Sequence, residues 1–286
     1  KKTVEYARSV EKEHDKCFRF TITTNGVLLN DENIEYINRE MSNAVLSLDG
    51  RKDVNDDLRP TVNGKGSYDV IVPKFEKLIA GRGTKDYYLR GTFTRFHKDF
   101  AEDVKALAAI GRNVSVEPVV GKREDPYALQ EEDLPELEAE YERLAEYLKD
   151  HPETNFFHFN VDLAQGPCVI KRLRGCGAGC EYVAITPEGD IYPCHQFVGN
   201  EDYRLGSVHD GTFDKELSGR FAGLNIYTRE ECRDCWARFY CSGGCSASNL
   251  LVNGDIKKPH RVGCELERKR LECAIALRAI AAGMAD

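Results

Sequence analysis

No run of apolar residues in this chain approaches the roughly 20 needed to cross a bilayer as a helix, which excludes a helical membrane span. The Ala-rich stretch 273–285 is too short and reads as a helix end. An excess of positive charge is missing too. Lys and Arg number 40 against 48 Asp and Glu, a formal net charge of −8. That balance argues against nonspecific nucleic-acid binding, leaving only a local basic groove as a route to it. The chain opens with no secretory signal peptide and contains neither internal repeats nor low-complexity tracts. Its first residues, Lys1-Lys2-Thr3, lack an initiator Met and fall inside a helical pattern, so further residues are expected ahead of them.

The 286 residues are 41% apolar, enough for a substantial core in one large domain or two ordinary ones. Eleven cysteines are present, all but Cys17 between Cys168 and Cys273. Without signs of secretion, such density predicts a reducing cytoplasm and metal-bound thiols.

The two parts of the chain follow different patterns. Residues 1–150 alternate helix and strand: helix over 4–13, strand over 17–23, helix over 31–40 with Asp31 as cap, strand over 44–48. Helix over 67–80, strand over 87–94, helix over 99–110 with Gly111 just past its end, strand over 114–120 and a charged helix over 131–149 follow. Successive strand–helix units predict an α/β fold with parallel strands and right-handed crossovers, its chemistry at the C-terminal strand ends. Polar groups stand at those ends: Thr24-Asn25-Gly26, Ser47-Leu48-Asp49-Gly50, Thr92, Thr94 and Glu117. In residues 151–286 a hairpin is expected around Pro187-Glu188-Gly189, and a closing helix over 265–282. Between Cys232 and Cys264 no period is sustained, so that stretch is expected to need metal to fold.

The cysteines are spaced C-x12-G-x4-C from Cys176 to Cys194, then C-x2-C-x5-C-x3-C from Cys232 to Cys245, then Cys264, with Cys180 beside the first. Buried free cysteine suits Cys17, Cys168 and Cys273 but not this run. A disulfide framework would need an oxidising compartment. Zinc would occupy four thiolates and leave the others idle, whereas two iron–sulfur clusters use nearly all of them.

This order resembles the SPASM domain that follows a radical S-adenosylmethionine barrel, over residues 176–264. The Thr24-Asn25-Gly26 and Ser47-Leu48-Asp49-Gly50 strand ends resemble the T-N-G and S-x-D-G ends of that barrel. The family's C-x3-C-x2-C loop and its G-G-E/D-P strand are absent from these residues. The resemblance therefore implies the C-terminal portion of a partial (β/α)6 barrel, followed by a small SPASM domain with a hairpin and closing helix. The segment 184–199, with Arg90-Gly91-Thr92-Phe93-Thr94 and 115–120, is most similar to maturases of six-cysteine peptides, which install sulfur-to-α-carbon thioethers. Sulfatase-maturating enzymes are close relatives, with an Asp where this chain has His195.

The resemblance implies two auxiliary [4Fe–4S] clusters here: one on Cys176, Cys194 and Cys245, the other on Cys232, Cys235, Cys241 and Cys264. Cys180 is either a fourth ligand of the first or leaves one iron open to a substrate thiolate. S-adenosylmethionine and a third, catalytic cluster belong to the full-length protein. Ser47 and Arg59 are candidates for the S-adenosylmethionine carboxylate and ribose, with Asn25 and Glu117 as weaker pocket candidates. Arg59 could equally be a surface loop arginine. His195 is a candidate proton carrier, substrate contact or outer partner of a ligand cysteine, and Trp236 a shield for the outer cluster. The implied reaction removes hydrogen from a peptide α-carbon, which a cysteine sulfur then attacks. The implied partners are a cysteine-rich precursor peptide with its leader and a flavodoxin or ferredoxin reductant, with neither nucleic acid nor membrane. The alternatives are another peptide-modifying or sulfatase-maturating SPASM enzyme and, from a different class, a zinc-binding scaffold.

Overall fold

The computed structural model describes residues 1–161 and 169–284, so Cys168 lies outside the described residues. It forms two compact units, Lys1–Val119 with Ala139–Asn160, and Val120–Glu138 with Val161–Asp286.

The first unit contains helix α1 (Lys2–Val10), strand β1 (Thr21–Thr24), α2 (Asp31–Glu40), β2 (Asn43–Ser47), α3 (Lys52–Leu58) and α4 (Tyr68–Ala80). Strand β3 (Asp86–Phe93), α5 (Phe100–Ile110), β4 (Asn113–Pro118), the part of α6 (Leu134–Asp150) from Ala139 onward and β5 (Asn155–Phe156) follow. Its five strands pair in chain order and all in parallel. The alternation read from the sequence thus becomes an α/β sheet whose C-terminal strand ends share one edge. Ala44, Leu46, Leu89 and Val114 are fully buried in it, beneath Phe75, Leu78, Phe100 and Leu107. Phe93 stacks on Phe100 with ring centroids 4.3 Å apart, and Tyr141 of α6 meets Phe100 edge-on at 4.7 Å.

Several local readings are corrected. The cap of α2 is Asn30, not Asp31, because Asn30 is the extended residue and its Oδ1 accepts the Asn33 N–H at 2.9 Å. Gly111 does close α5, but in an extended rather than left-handed conformation. The charged helix starts with a 3-10 turn, Glu131–Asp133, before α6. Its apolar side is buried, at Leu137, Tyr141 and Leu144, and buried Glu140 accepts the Ala101 N–H at the start of α5 (3.1 Å). Cys17 is exposed, in the irregular stretch before β1, whereas Cys273 is buried as expected. Buried Arg82 hydrogen-bonds the carbonyls of Ile37, Met41, Ser42 and Asp86, tying the end of α2 to the start of β3. Burial pulls its pKa down.

The second unit holds α7 (Val169–Arg174), strands β6 (Ala184–Ile185), β7 (Asp190–Tyr192), β8 (Gly206–Ser207) and β9 (Thr212–Phe213), and helices α8 (Lys215–Ala222), α9 (Arg238–Cys241), α10 (Ser246–Asn253) and α11 (Arg261–Ala281). The expected hairpin is the first half of a four-stranded antiparallel sheet. Its turn needs Gly189, which has φ +91° and whose N–H reaches the Thr186 carbonyl at 2.9 Å. Ile191, Tyr192, Phe197, Leu205, Leu217 and Phe221 form the core of this unit. Helix α11 begins four residues earlier than expected, which places Cys264 in its first turn. No helix among the described residues is long and apolar enough to cross a membrane.

Candidate functional site

At the C-terminal edge of the parallel sheet, register aligns the polar strand ends: Ser47 lies beside Arg90, and Thr92 beside Glu117. Asn25 is exposed and its Oδ1 accepts the Val27 N–H at 3.2 Å, closing the turn after β1. Ser47 is half-buried at the last position of β2. Glu117 pairs with Arg90 and stands 3.9 Å from the His158 Nε2, which itself meets Ser115 Oγ at 2.9 Å.

The guanidinium of Arg59 is gripped by Asp49, Nε to Oδ2 at 2.5 Å and Nη2 to Oδ1 at 3.1 Å. Asp49 is only 3% exposed and also accepts the Thr92 N–H at 2.9 Å. A bidentate, largely buried pair fixes Arg59 far better than a surface contact would. Asp49 is thus a positioning residue that the sequence reading passed over, although it stood within the quoted S-x-D-G. The following Gly50 has φ +131°, and a Cβ there would come within 2.3 Å of the Asp103 side chain.

In the second unit the thiols fall into two groups. The first joins Cys176, Cys194 and Cys245. Cys194 is buried, which pushes its thiol pKa up, and the Cys245 and Cys176 thiols push it further. The nearby N–H groups of Gln196 and Phe197 oppose that rise, that of Phe197 while donating to the Cys194 carbonyl at 3.0 Å. The loop after Cys176 is laid against Cys194 by the Gly179 N–H, which donates to the Tyr182 carbonyl (2.8 Å) and the Pro193 carbonyl (3.1 Å). Gly179 has φ +81°, and a Cβ on it would strike the Phe221 ring at 2.8 Å. Cys180 is exposed, with its sulfur 3.4 Å from the Gly177 carbonyl. His195 is exposed at the start of the 3-10 turn His195–Phe197.

The second group joins Cys232, Cys235, Cys241 and Cys264, which all line one cavity of about 370 Å³. Burial raises the thiols of Cys232 and Cys241, and that of Cys264 to about 11, with neighbouring thiols adding to each. Arg268 Nη1 lies 3.9 Å from the Cys235 sulfur. Around Cys241 the backbone does the opposite of burial. Ser242, Gly243 and Gly244 take left-handed φ values of +60°, +88° and +73° in succession; the N–H groups of Gly243 and Gly244 lie close enough to lower the Cys241 thiol, that of Gly244 donating to the Cys241 carbonyl at 3.4 Å. Consecutive N–H groups of this kind form an anion-binding nest, an arrangement found at phosphate and iron–sulfur sites. The Ser-Gly-Gly between two cysteines was the available signal for it. Trp236 is 49% exposed and does not line the cavity, so it does not act as the expected shield. Among the described residues, no three His, Cys, Asp or Glu side chains converge as ligands of a single ion. The thiols ring a hollow, a donor set whose chemistry fits a thiolate-ligated cluster.

A parallel α/β unit with polar strand ends and a thiol-rich unit with two donor groups define the class: a barrel-type sheet followed by a cluster-binding domain. Residues 176–236 match the SPASM family, an iron–sulfur cluster-binding domain. The chain is 27% identical over 224 residues to the mycofactocin maturase MftC of Mycolicibacterium smegmatis, covering 75% of this chain and 55% of that protein. It is 24% identical over 248 residues to a cysteine-type anaerobic sulfatase-maturating enzyme of Clostridium novyi, covering 79% and 63%. The chain therefore spans less than two thirds of the length of these relatives. Its fold matches native anSMEcpe with bound AdoMet and Cp18Cys peptide at TM-score 0.75 and 16% identity, over 99% of this chain and 82% of that one. Residues 176–236 thus match an iron–sulfur cluster-binding domain, and the relatives named are maturases, in line with the cysteine order.

Proposed function

We propose that this chain is the auxiliary-cluster portion of a cytoplasmic radical S-adenosylmethionine oxidoreductase. In this reading it matures a ribosomally made, cysteine-rich peptide by joining cysteine sulfur to α-carbons. The observation that carries the reading is the division of the thiols into two groups, joined by the loop from Cys241 to Cys245, in a unit that matches the SPASM model over residues 176–236. Cys176, Cys194 and Cys245, with Cys180 within reach of the same loop, would hold one [4Fe–4S] cluster. Cys232, Cys235, Cys241 and Cys264 would hold the other. When bound, these clusters and the cofactor supply one-electron transfer and carbon-radical chemistry.

The chain's own residues bind and orient. Asp49 holds Arg59 at the sheet edge, where Arg59, Ser47, Asn25 and Glu117 face the proposed S-adenosylmethionine site. Burial around Cys194, Cys241 and Cys264 keeps water from the thiols. His195, exposed beside Cys194, would meet peptide or carry a proton. The whole protein would add a third cluster, a leader-bearing precursor and a flavodoxin or ferredoxin. Sulfatase maturation is the second reading, favoured by the likeness to the Clostridium novyi enzyme.

The test uses the full-length protein purified without oxygen, with reductant, S-adenosylmethionine and a cysteine-rich precursor peptide, and reads the intact mass of the peptide. Loss of two hydrogens per crosslink, with fragments placing sulfur on an α-carbon, supports the thioether reading. Cofactor cleavage with an unchanged peptide, together with oxidation of a sulfatase-derived peptide, transfers the assignment to the second reading. Zinc in place of iron, with no cleavage, overturns both.

A further inference from the structure

Among the described residues of the second unit, Arg229 is the most deeply buried cation, 4% exposed. It stands just before the 3-10 turn Glu230–Cys232 and therefore three residues ahead of the first cysteine of the C-x2-C pair. Its side chain crosses to the loop between Cys241 and Cys245. Nη1 donates to the Gly243 carbonyl, and Nη2 to Ser246 Oγ at 2.8 Å. Gly243 lies flat against it, since a Cβ there would come within 3.3 Å of the Arg229 Cδ and Nη1. Nε is buried without a hydrogen-bond partner, and none of the ion pairs among the described residues gives Arg229 a carboxylate.

A guanidinium taken out of water without a counter-charge is costly, and proteins rarely tolerate it. The anions within reach are thiolates. Cys232, Cys241 and Cys264 of one group and Cys245 of the other all lie near enough to act on the charge of Arg229. The loop it grips carries one cysteine of each group, Cys241 and Cys245, four residues apart. Arg268, by contrast, is engaged by Glu265 and acts on thiols of one group only, Cys235 and Cys264.

We infer that Arg229 is a positioning residue shared by both thiol groups: it fixes the Cys241–Cys245 loop and supplies the buried positive charge that the two anionic sites have in common. The inference rests on the cluster-binding reading above. A fixed positive charge favours the reduced, more negative state of any iron–sulfur group beside it, so Arg229 holds the potentials of both groups up.

The experiment compares the full-length protein with Arg229→Lys, Arg229→Gln and Ser246→Ala, each reconstituted anaerobically with ferrous iron and sulfide. Iron content and reduction midpoints, followed by electron paramagnetic resonance, are the readouts. Arg229→Gln is expected to load iron. Poised where half the parent clusters are reduced, its reduced-to-oxidised ratio should fall at least tenfold, 59 mV for one electron. Arg229→Lys and Ser246→Ala, which keep the charge, should stay near the parent. Loss of iron from Arg229→Gln with retention in Arg229→Lys supports the inference as well. Parental potentials in Arg229→Gln, or equal loss of iron from the Lys and Gln variants, overturn it. A parent that binds zinc or no metal overturns the cluster reading itself, which the iron assay shows before any potential is measured.

Discussion

His260 precedes α11 and is half-buried among Arg123, Glu131 and Arg261 in a small hollow of the second unit. Burial lowers its pKa from the usual 6.5, and Glu131 in the same hollow is paired with Arg261. The unfolded chain then takes up a proton that the folded chain resists. The stability His260 contributes is present above pH 6.5 and is lost as pH falls through that value toward the lowered folded pKa. Thermal midpoints measured from about pH 7.5 down to about pH 5 should therefore fall less steeply in His260→Asn than in the parent. Parallel slopes would reject the assignment. Such a residue shows what sequence alone withholds. Burial is set by tertiary context, so the low exposure of Arg82, Arg229 and Asp49 and the exposure of Cys17 and Trp236 all run against residue-type expectation. The candidate ligands were legible because spacing is a property of sequence, whereas the charges that serve them, Asp49 for Arg59 and Arg229 for the thiols, depend on which loops meet.

Among elements, length decided what could be read. Strands β1 to β4 and helices α2, α4 and α5 were visible because each carries enough residues to show a period. Strands β5, β6, β8 and β9 have two residues each and show none, so a four-stranded sheet was read as a hairpin. The Cys241–Cys245 loop is the functional counterpart, since its three successive left-handed residues carry meaning only through where their N–H groups point. Gly244 tests that. A Cβ on it meets nothing within 4 Å, so Gly244→Ala changes backbone preference alone, at about 1–2 kcal/mol. Gly254 offers a matched control, with φ +71° and equally open space at the end of α10. Anaerobic transfer of iron to a chelator should be roughly five- to thirty-fold faster in Gly244→Ala. In Gly254→Ala it should be unchanged at similar overall destabilisation. Equal rates in the two variants would reduce the nest to an ordinary turn.

On the scale of the whole molecule, the two units differ in what can hold them folded. The first has large side chains that are almost completely buried, among them Phe75, Phe93, Phe100 and Tyr141, together with Leu46 and Leu89 of the sheet. Such a core supports a parallel sheet without help. In the second unit the sheet and α8 share the Ile191, Tyr192, Phe197, Leu205 and Phe221 core. Between residues 228 and 264, however, the buried apolar residues are Cys232, Ala237, Ala247, Ile256 and Val262, two of them alanines. That stretch carries four of the proposed ligands ahead of Cys264, so metal binding there is folding free energy. Removing iron from the anaerobic protein with a chelator should therefore act unevenly. Amides between 228 and 264 should exchange at near-unprotected rates, and those of β7 and α8 should become intermediate. Those of β2, β3 and β4 should remain protected. Hydrogen exchange read by mass spectrometry before and after chelation separates the three classes. Protection lost evenly across both units would mean that they fold as one, and protection unchanged between 228 and 264 would mean that the short helices α9 and α10 stand without metal.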